Sequence, residues 1–308
     1  MLLKHLQYLT ALARERHFAR AAAACQVTQP SLSAGIKQLE EQLGLLVVKR
    51  GQRFEGLTAE GERVLAWAQR ITAEAESLEQ EASRLRHVLR GRLRLGVVPA
   101  ALPAVPILAS PLASRFPGVA LTVLSTTSID IQSGLDEFRL EAGITYLDNE
   151  PLSRVRAIPL YLEQYLLITP AGGPLGGRTR VTWQEAASLP LCLLTTDMQN
   201  RRIINSHFAD TGTAVQPALE TNSVFTLCSL VRSGYWSSVL PHGFLPLLSG
   251  ADGIAILRLE GPAAAHTVGV VVSDREPLQP TAAALLDVLA GLDWSPVEGS
   301  SSPGREEP

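Results

Sequence analysis

The chain has 308 residues, of which 46% are hydrophobic and 19% charged, which is enough for two or three compact units with their own cores. No apolar run approaches the roughly 20 residues that span a bilayer, and the first residues run straight into a helical pattern. We therefore expect neither a membrane protein nor a secreted one, and the expected location is cytoplasmic.

The net charge of −3 hides an asymmetry along the chain. Residues 1–57 hold eight Lys and Arg against four Glu, a net of +4, whereas the residues after 90 hold 14 Lys and Arg against 20 Asp and Glu, a net of −6. A basic head on an acidic body is typical of a protein in which one module faces a polyanion.

The stretch Phe18–Glu41 predicts two short helices joined by a tight connection. An alanine-rich run comes first, and a second helix begins at Gln29, with Thr28 as its N-cap and Pro30 in its first turn. Four apolar residues at spacings of 4, 3 and 4 line one face of this helix: Leu32, Ile36, Leu39 and Leu43. The opposite face carries short polar or cationic side chains: Gln29, Ser31, Ser33 and Lys37.

Such a pair of helices is what a helix-turn-helix needs to enter the major groove of DNA. The alternative is an ordinary amphipathic helical hairpin. After Gly44, two short extended runs, Leu45–Lys49 and Arg53–Leu57, flank a turn that begins at Arg50. This pattern predicts a basic hairpin, or wing, beside the second helix, and the alternative is a solvated loop.

Residues 59–90 predict one long helix with two apolar rows of heptad spacing. A lone helix has no reason to keep two such rows, so the pattern predicts a dimer, and the alternative is packing on the chain's own body. The predicted dimerisation residues are Val64, Ala68, Ile71, Ala75, Leu78, Ala82 and Leu85.

From residue 91 onward, short β-branched runs alternate with helical patterns. The alternation predicts a mainly parallel sheet in each of two lobes, residues 91–160 with 265–295 and residues 161–264, with a ligand cleft between them. The tail, 296–308, has no apolar content and is expected to be disordered.

Loops that follow predicted strands supply the candidate effector residues. Three of these loops are rich in hydroxyl and amide groups, which suit a small polar or anionic ligand, although each hydroxyl alone is more often a helix cap. The candidates are Ala100, Thr126, Thr127, Ser128, Thr195, Thr196, Asn222 and Ser223, with Arg201 and Arg202 as the nearest cations.

Patterns of catalytic or metal-binding residues are missing from the sequence. The six histidines are scattered, Cys25, Cys192 and Cys228 lack metal-ligand spacing, and no nucleophile elbow or phosphate-binding loop is present. We predict no catalytic residue, no metal and no cofactor. The rival hypotheses are a solute-binding or enzymatic α/β protein with an appended helical module, and a redox role for Cys192 and Cys228.

Along nearly its whole length the sequence resembles the LysR-type transcriptional regulators. The resemblance rests on FARAAAACQVTQPSLSAGIKQLEEQLG, LTAEGERVLAWAQRI, GRLRLGVVP and SGYWSSVLPHGF. It implies a multidomain fold: a winged helix-turn-helix domain (1–58), a linker helix (59–90) and a bilobed, periplasmic-binding-protein-like α/β effector domain (91–295).

The resemblance also implies partners and site residues. It implies a double-stranded DNA operator, a small-molecule inducer in the cleft, and a homodimer that assembles into a homotetramer. The DNA-binding residues by position are Thr28, Gln29, Pro30, Ser31, Ser33, Lys37, Arg50 and Arg53.

Two further features qualify the resemblance. Ala34 and Gly35 depart from the family pattern and are expected to leave the middle of the recognition face bare. Within the family, the segments DMQNRRIIN and ITYLDNEPL are most similar to a branch found beside formate dehydrogenase genes. That likeness makes a small carboxylate such as formate the expected inducer.

Overall fold

The computed structural model describes residues 2–49, 54–248, 250, 252–261 and 265–292. The chain divides into two compact units: residues 1–91 with 136–139, and residues 92–135 with 140–308. None of the described helices is both long enough and apolar enough to cross a membrane.

The first unit is helical and has one core. Its helices are α1 (Leu3–Glu15), α2 (Phe18–Ala24), α3 (Gln29–Leu43) and α4 (Ala59–Leu85). Apolar side chains from all four helices and from the segment after α3 form this core, among them Leu9, Leu12, Ala21, Leu32, Leu39, Val47 and Ala68. Three of the four residues of the predicted row on α3, Leu32, Ile36 and Leu39, are buried, and this burial turns the polar face outward, whereas Leu43 at the end of the row is exposed.

Local capping fixes the ends of α3 as its residues predict. The Thr28 hydroxyl accepts a hydrogen bond from the backbone N–H of Ser31 at 3.4 Å, and Gly44 ends the helix with a φ of 67°. The expectation for Gly35 is wrong, because Gly35 lies in the core. A Cβ there would lie 2.6 Å from the ring of Tyr8, so glycine lets α1 approach α3 closely.

The long helix α4 is shorter than predicted and stops at Leu85. His87 has a φ of 64°, and the N–H groups of His87 and Val88 return to the carbonyls of Arg84 and Ser83. This is the Schellman arrangement that ends a helix. A histidine does not indicate a helix end as a glycine at that position would, so the sequence predicts a helix that continues to residue 90.

Only the base of the predicted wing lies among the described residues. Val48 and Leu57 form an isolated antiparallel bridge, and Lys49 donates its N–H to the carbonyl of Gly56 at 3.1 Å. The predicted contacts Arg50 and Arg53 lie outside the described residues.

The second unit contains two main sheets and a two-stranded one. The strands are β1 (Gly91–Val97), β2 (Val119–Ser125), β3 (Ala142–Tyr146), β4 (Val155–Glu163), β5 (Tyr165–Pro170), β6 (Arg180–Thr182), β7 (Cys192–Leu194), β8 (Leu219–Thr221), β9 (Ser238–Pro241), β10 (Ile254–Glu260) and β11 (His266–Ser273). Their orders are β2-β1-β3-β11-β4, β6-β10-β5-β9 and β7-β8.

These sheets are mixed, so the expectation of mainly parallel sheets is wrong. β1 pairs with β3 in parallel, but β11 runs antiparallel to both β3 and β4. In the second sheet β5 is antiparallel to both of its neighbours. The sequence pattern missed β4, whose residues are mostly half-exposed and include Pro159.

The helices of this unit cover the sheets near the predicted positions. They are α5 (Val105–Arg115), α6 (Ser128–Asp136), α7 (Trp183–Ala187), α8 (Gln199–Asp210), α9 (Val224–Arg232), α10 (Leu245–Leu248) and α11 (Pro280–Ala290). A 3-10 turn, Pro99–Ala104, precedes α5. Because α6, α8 and α9 each begin just after a strand, their first residues form the loops that hold the candidate effector residues.

Candidate DNA-binding surface and effector site

The N-terminal turn and outer face of α3 form an exposed polar surface. Thr28, Gln29, Pro30, Ser31 and Lys37 are exposed, and Ser33 is half-buried. Thr28 and Ser31 also bond to each other through their hydroxyls at 2.9 Å. Lys37 lies 3.8 Å from Glu41, an exposed pair that leaves the ammonium accessible.

Sequence reasoning missed one member of this surface. Gln38 is exposed one residue beyond Lys37, and a glutamine side chain can hydrogen-bond to a base edge or a phosphate. The resemblance implies DNA contacts only at positions that match the family pattern, and Gln38 is not one of these positions.

The heptad rows of α4 divide between two roles. Ala68 is fully buried in the core of the first unit, so assigning Ala68 to a dimer seam is wrong. Val64 packs against the same core but is half-buried, and its place in the seam stays a prediction. Ile71, Leu78 and Leu85 are exposed, the last two by 71% and 73%. Ala75 is half-buried and Ala82 exposed.

Trp67 adds an exposed aromatic side chain to α4 that the heptad rows did not include. It is 63% exposed, and the guanidinium of Arg70 lies 5.9 Å from its ring. Together with Leu78 and Leu85 it gives α4 an apolar surface available to a second helix.

Hydroxyls around the start of α6 already have acidic partners. Thr126 and Thr127 donate to the carboxylate of Asp130 at 3.3 and 2.8 Å, and Ser128 donates to Glu150 at 2.7 Å. The Thr127 hydroxyl in turn accepts from the N–H of Asp130, which makes a helix cap. Of these three residues, Ser128 is the one that lines a cavity described below.

Arg202, near the start of α8, is the cation beside Ser128. Its Nε donates to Glu150 Oε1 at 2.7 Å and its Nη2 also binds Glu150. Its Nη1 donates to the carbonyls of Thr196 and Asp197 at 2.9 and 2.7 Å. Arg201, by contrast, is buried and binds Glu220 and the Leu194 carbonyl, so its role is structural.

Three of the candidate effector residues, Ser128, Asn222 and Ser223, line two cavities. The smaller, about 480 Å³, has polar and charged residues in its lining, Ser128, Gln132, Gln199, Arg202 and Glu150 among them, together with apolar surface that includes Ile129, Pro151 and Leu152. The larger, about 820 Å³, is mostly apolar, and its lining includes Leu102, Phe225, Phe244, Leu247, Arg232, Asn222 and Ser223.

The remaining candidates lie apart from these two linings. Ala100 is buried in the 3-10 turn, and Thr196 is exposed and contributes its carbonyl to Arg202. Thr195 has a buried hydroxyl without a hydrogen-bond partner in the described part of the chain.

A buried polar cluster joins β3, β4 and α8. The Tyr146 hydroxyl donates to Glu163 and accepts from the Asn200 amide at 3.0 Å. Burial raises the pKa of Glu163 to about 8, so this carboxyl is protonated at neutral pH. Sequence reasoning gave no signal for the cluster, because its members are far apart along the chain.

The three cysteines are poor nucleophiles. Burial raises the pKa of the Cys192 thiol to about 11, and burial also raises the pKa of Cys25 and of Cys228. Reactive cysteines have lowered pKa values and exposed thiolates, so these thiols have the opposite character. Among the described residues no cluster of His, Cys, Asp or Glu is arranged to hold a metal ion.

A capped recognition helix and an α/β unit with ligand-sized cavities together define a ligand-responsive DNA-binding protein. Residues 3–62 match the bacterial regulatory helix-turn-helix proteins of the lysR family, and residues 86–293 match the LysR substrate binding domain. The chain belongs to the LysR family of DNA-binding transcriptional regulators. The resemblance to the LysR-type regulators, the fold class and the regulatory function predicted from the sequence are confirmed, whereas the likeness to the branch beside formate dehydrogenase genes stays a prediction.

Relatives and solved structures agree with that assignment. A probable hydrogen peroxide-inducible genes activator of Streptomyces viridosporus is 33% identical over 244 residues, covering 78% of this chain and 77% of the relative. The DNA-binding transcriptional dual regulator OxyR of Escherichia coli is 28% identical over 280 residues, 91% of this chain and 92% of the relative.

Among solved structures, full-length OxyR from Pseudomonas aeruginosa with a Cys-to-Asp substitution is similar with a TM-score of 0.73 and 27% identity, covering 94% of this chain and 97% of that one. CbnR in complex with its target DNA shares the fold with a TM-score of 0.69 and 18% identity, covering 94% and 99%. The Streptomyces viridosporus relative is described by hydrogen peroxide, and neither relative is described by formate.

Proposed function

We propose that the chain forms a dimer, that two such dimers assemble into a tetramer, and that the assembly binds a DNA operator through the exposed face of α3. The observation that carries this proposal is the separation of faces on α3, with Leu32 and Leu39 buried and the polar residues outside. Gln29, Ser31 and Ser33 offer hydrogen bonds to base edges in the major groove, and Lys37 offers a charge to a phosphate. Arg50 and Arg53 of the wing join these contacts, as do Thr28 and Pro30 at the start of the helix.

The second copy follows from α4. Trp67, Ile71, Leu78 and Leu85 are apolar and exposed, which favours a helix-to-helix dimer through the outer part of α4. A dimer presents two recognition helices to two half-sites about one helical turn apart or a multiple of that.

The effector is a small carboxylate bound in the second unit, and the chain regulates without catalysing a reaction. Ser128 and Arg202 support this ligand class, because both already bind a carboxylate, that of Glu150. Formate is the simplest member of the class.

A response to hydrogen peroxide is the second candidate, since relatives such as that of Streptomyces viridosporus are named hydrogen peroxide-inducible genes activators. Peroxide oxidises thiolates, and the three thiols of this chain have pKa values raised by burial. The chain is therefore proposed to respond by binding a ligand and not by oxidising a cysteine.

A gel shift with the DNA that flanks the chain's own gene tests DNA binding. We expect retardation at low salt that weakens as salt rises, because binding releases counterions from the phosphates. The matched variant Gln29→Ala changes a proposed base contact and no core residue, so it should lose preference for this DNA over unrelated duplex. Equal binding of both duplexes by the unaltered chain contradicts sequence-specific recognition.

A further inference from the structure

Arg202 is held as a preformed receptor for a carboxylate. Two backbone carbonyls, those of Thr196 and Asp197, fix its Nη1 at 2.9 and 2.7 Å. The other edge of the guanidinium presents Nε and Nη2 together, which is the fork geometry that matches both oxygens of a carboxylate. Ser128 supplies a third donor, at 2.7 Å from Glu150 Oε2.

The carboxylate that fills this receptor comes from the chain itself. Glu150 belongs to the mostly exposed segment between β3 and β4, outside both sheets. Its side chain and that of Arg202 are 25% and 34% exposed, so water and small solutes reach the pair. Because both side chains remain partly open to solvent, an external carboxylate can reach the guanidinium and compete for it.

Space around Glu150 allows its carboxylate to leave. Glu150, Pro151 and Leu152 line the smaller cavity of about 480 Å³, and the same three residues line a second, open cavity of about 580 Å³ with Asp148 and Asn149. These two openings leave room for the Glu150 side chain to turn away from Arg202.

We propose that Glu150 is a built-in competitor of the effector. In the ligand-free protein its carboxylate occupies the receptor formed by Arg202 and Ser128, and the carboxylate of the effector replaces it there. This inference rests on the proposed small-carboxylate effector and adds the residue that binds it and the residue that must move. It also accounts for an anion site that already contains an acidic side chain, which would otherwise repel the ligand.

The smaller cavity, which contains Arg202, is the proposed site, and the larger cavity provides the control. Arg202 faces a lining rich in Ser and Gln, which can bind the rest of a small acid. The larger cavity is bordered by Leu102, Phe225 and Leu247, and its one charged lining residue within the described part of the chain is Arg232.

Calorimetric titration of the full-length chain with formate, acetate and pyruvate tests the proposal. Glu150→Gln removes the competing charge and keeps the size of the side chain, so the dissociation constant for a bound acid should fall about tenfold, which corresponds to about 1.4 kcal/mol. Arg202→Gln should abolish binding, alone and combined with Glu150→Gln. Arg232→Gln, in the larger cavity, should bind as the unaltered chain does.

The outcomes separate this inference from the proposed function. If the unaltered chain binds an acid and Glu150→Gln binds it no more tightly, Glu150 is not a competitor, while the carboxylate effector survives. If the gain persists with Arg202→Gln, Arg202 is not the receptor. If no variant binds any of the three acids, the small-carboxylate effector and this inference are both overturned. Glu150→Ala serves as a second variant, and circular dichroism of each variant shows that it is folded.

Discussion

Glu163 is a carboxyl that the fold keeps neutral. It is fully buried at the end of β4, where Tyr146 donates a hydrogen bond to it, and Tyr165 and Asp148 lie near enough to affect its pKa. Burial outweighs the hydrogen bonds and raises its pKa to about 8. In the unfolded chain this carboxyl titrates near 4.3, so folding and pH are linked through this residue.

Replacing Glu163 tests that linkage. Between about pH 4.3 and 8 the folded chain holds a proton on Glu163 that the unfolded chain has lost. The contribution of Glu163 to stability is therefore fully present below about pH 4.3 and is lost as pH rises through this window. The loss amounts to at most about 1.4 kcal/mol per pH unit for one proton. The side chain of Glu163→Gln cannot ionise, so the variant should lose this pH dependence. The thermal midpoint of the variant minus that of the unaltered chain should therefore be larger at pH 8.5 than at pH 5.

The exposed variant Glu74→Gln is the control for this comparison, and its midpoints should follow those of the unaltered chain. Parallel pH profiles for Glu163→Gln and the unaltered chain would show that Glu163 ionises normally in the fold.

Residues whose partners are close in sequence could be predicted, and those with distant partners could not. Thr28 and Gly44 end α3 through contacts within five positions. The cap formed by Thr127 and Asp130 is equally local. Its spacing in the sequence therefore indicates a helix cap at the start of α6 rather than an open anion site. Glu150 reaches Ser128 and Arg202 across 22 and 52 positions, and such a contact requires the folded sheets.

At the scale of elements, α4 shows why a heptad pattern is ambiguous. In its first turns, Val64 and Ala68 pack on the core of their own unit. In its later turns, Leu78 and Leu85 lie on the surface. Both halves keep the same spacing, because a helix stripe has the same period whether it packs on its own core or on a partner. The sequence therefore predicted the helix and its apolar stripe but not the point at which the role changes.

Leu78→Asp tests the outer half of α4 as the dimer interface. Leu78 is 71% exposed in the single chain, so the substitution leaves the core intact. In a symmetric dimer it removes two buried leucines at about 1.5–3 kcal/mol each and introduces two charges. Sedimentation should show a dimer dissociation constant raised by at least about a hundredfold.

The neighbouring exposed variant Glu79→Ala should sediment as the unaltered chain does. A Leu78→Asp variant with unchanged oligomeric state would place the dimer interface elsewhere. Trp67→Ala would then be the next variant to examine.

For the whole molecule, the charge asymmetry assigns the DNA to the basic first unit. The net of +4 in residues 1–57 attracts a polyanion, and the net of −6 after residue 90 repels it. Affinity for DNA should therefore depend on how many cations reach phosphates in the assembled protein, and that number can be measured from the dependence of affinity on salt.

Comparing the salt dependence of the Lys37→Gln variant with that of the unaltered chain shows how many protomers contact the DNA through Lys37. Lys37 is exposed on α3 and its pairing with Glu41 at 3.8 Å is weak, so its charge is available to a phosphate. Each phosphate contact contributes about 0.9 to the slope of log affinity against log salt concentration, and a dimer on two half-sites brings two copies of Lys37. Fluorescence anisotropy over a salt series should give a slope smaller by about 1.8 for Lys37→Gln, whereas Gln29→Ala should weaken binding without changing the slope. A decrease of about 0.9 would indicate one engaged recognition helix for each complex, a decrease of about 3.6 would indicate that all four helices of a tetramer are engaged, and an unchanged slope would remove Lys37 from the phosphate contacts.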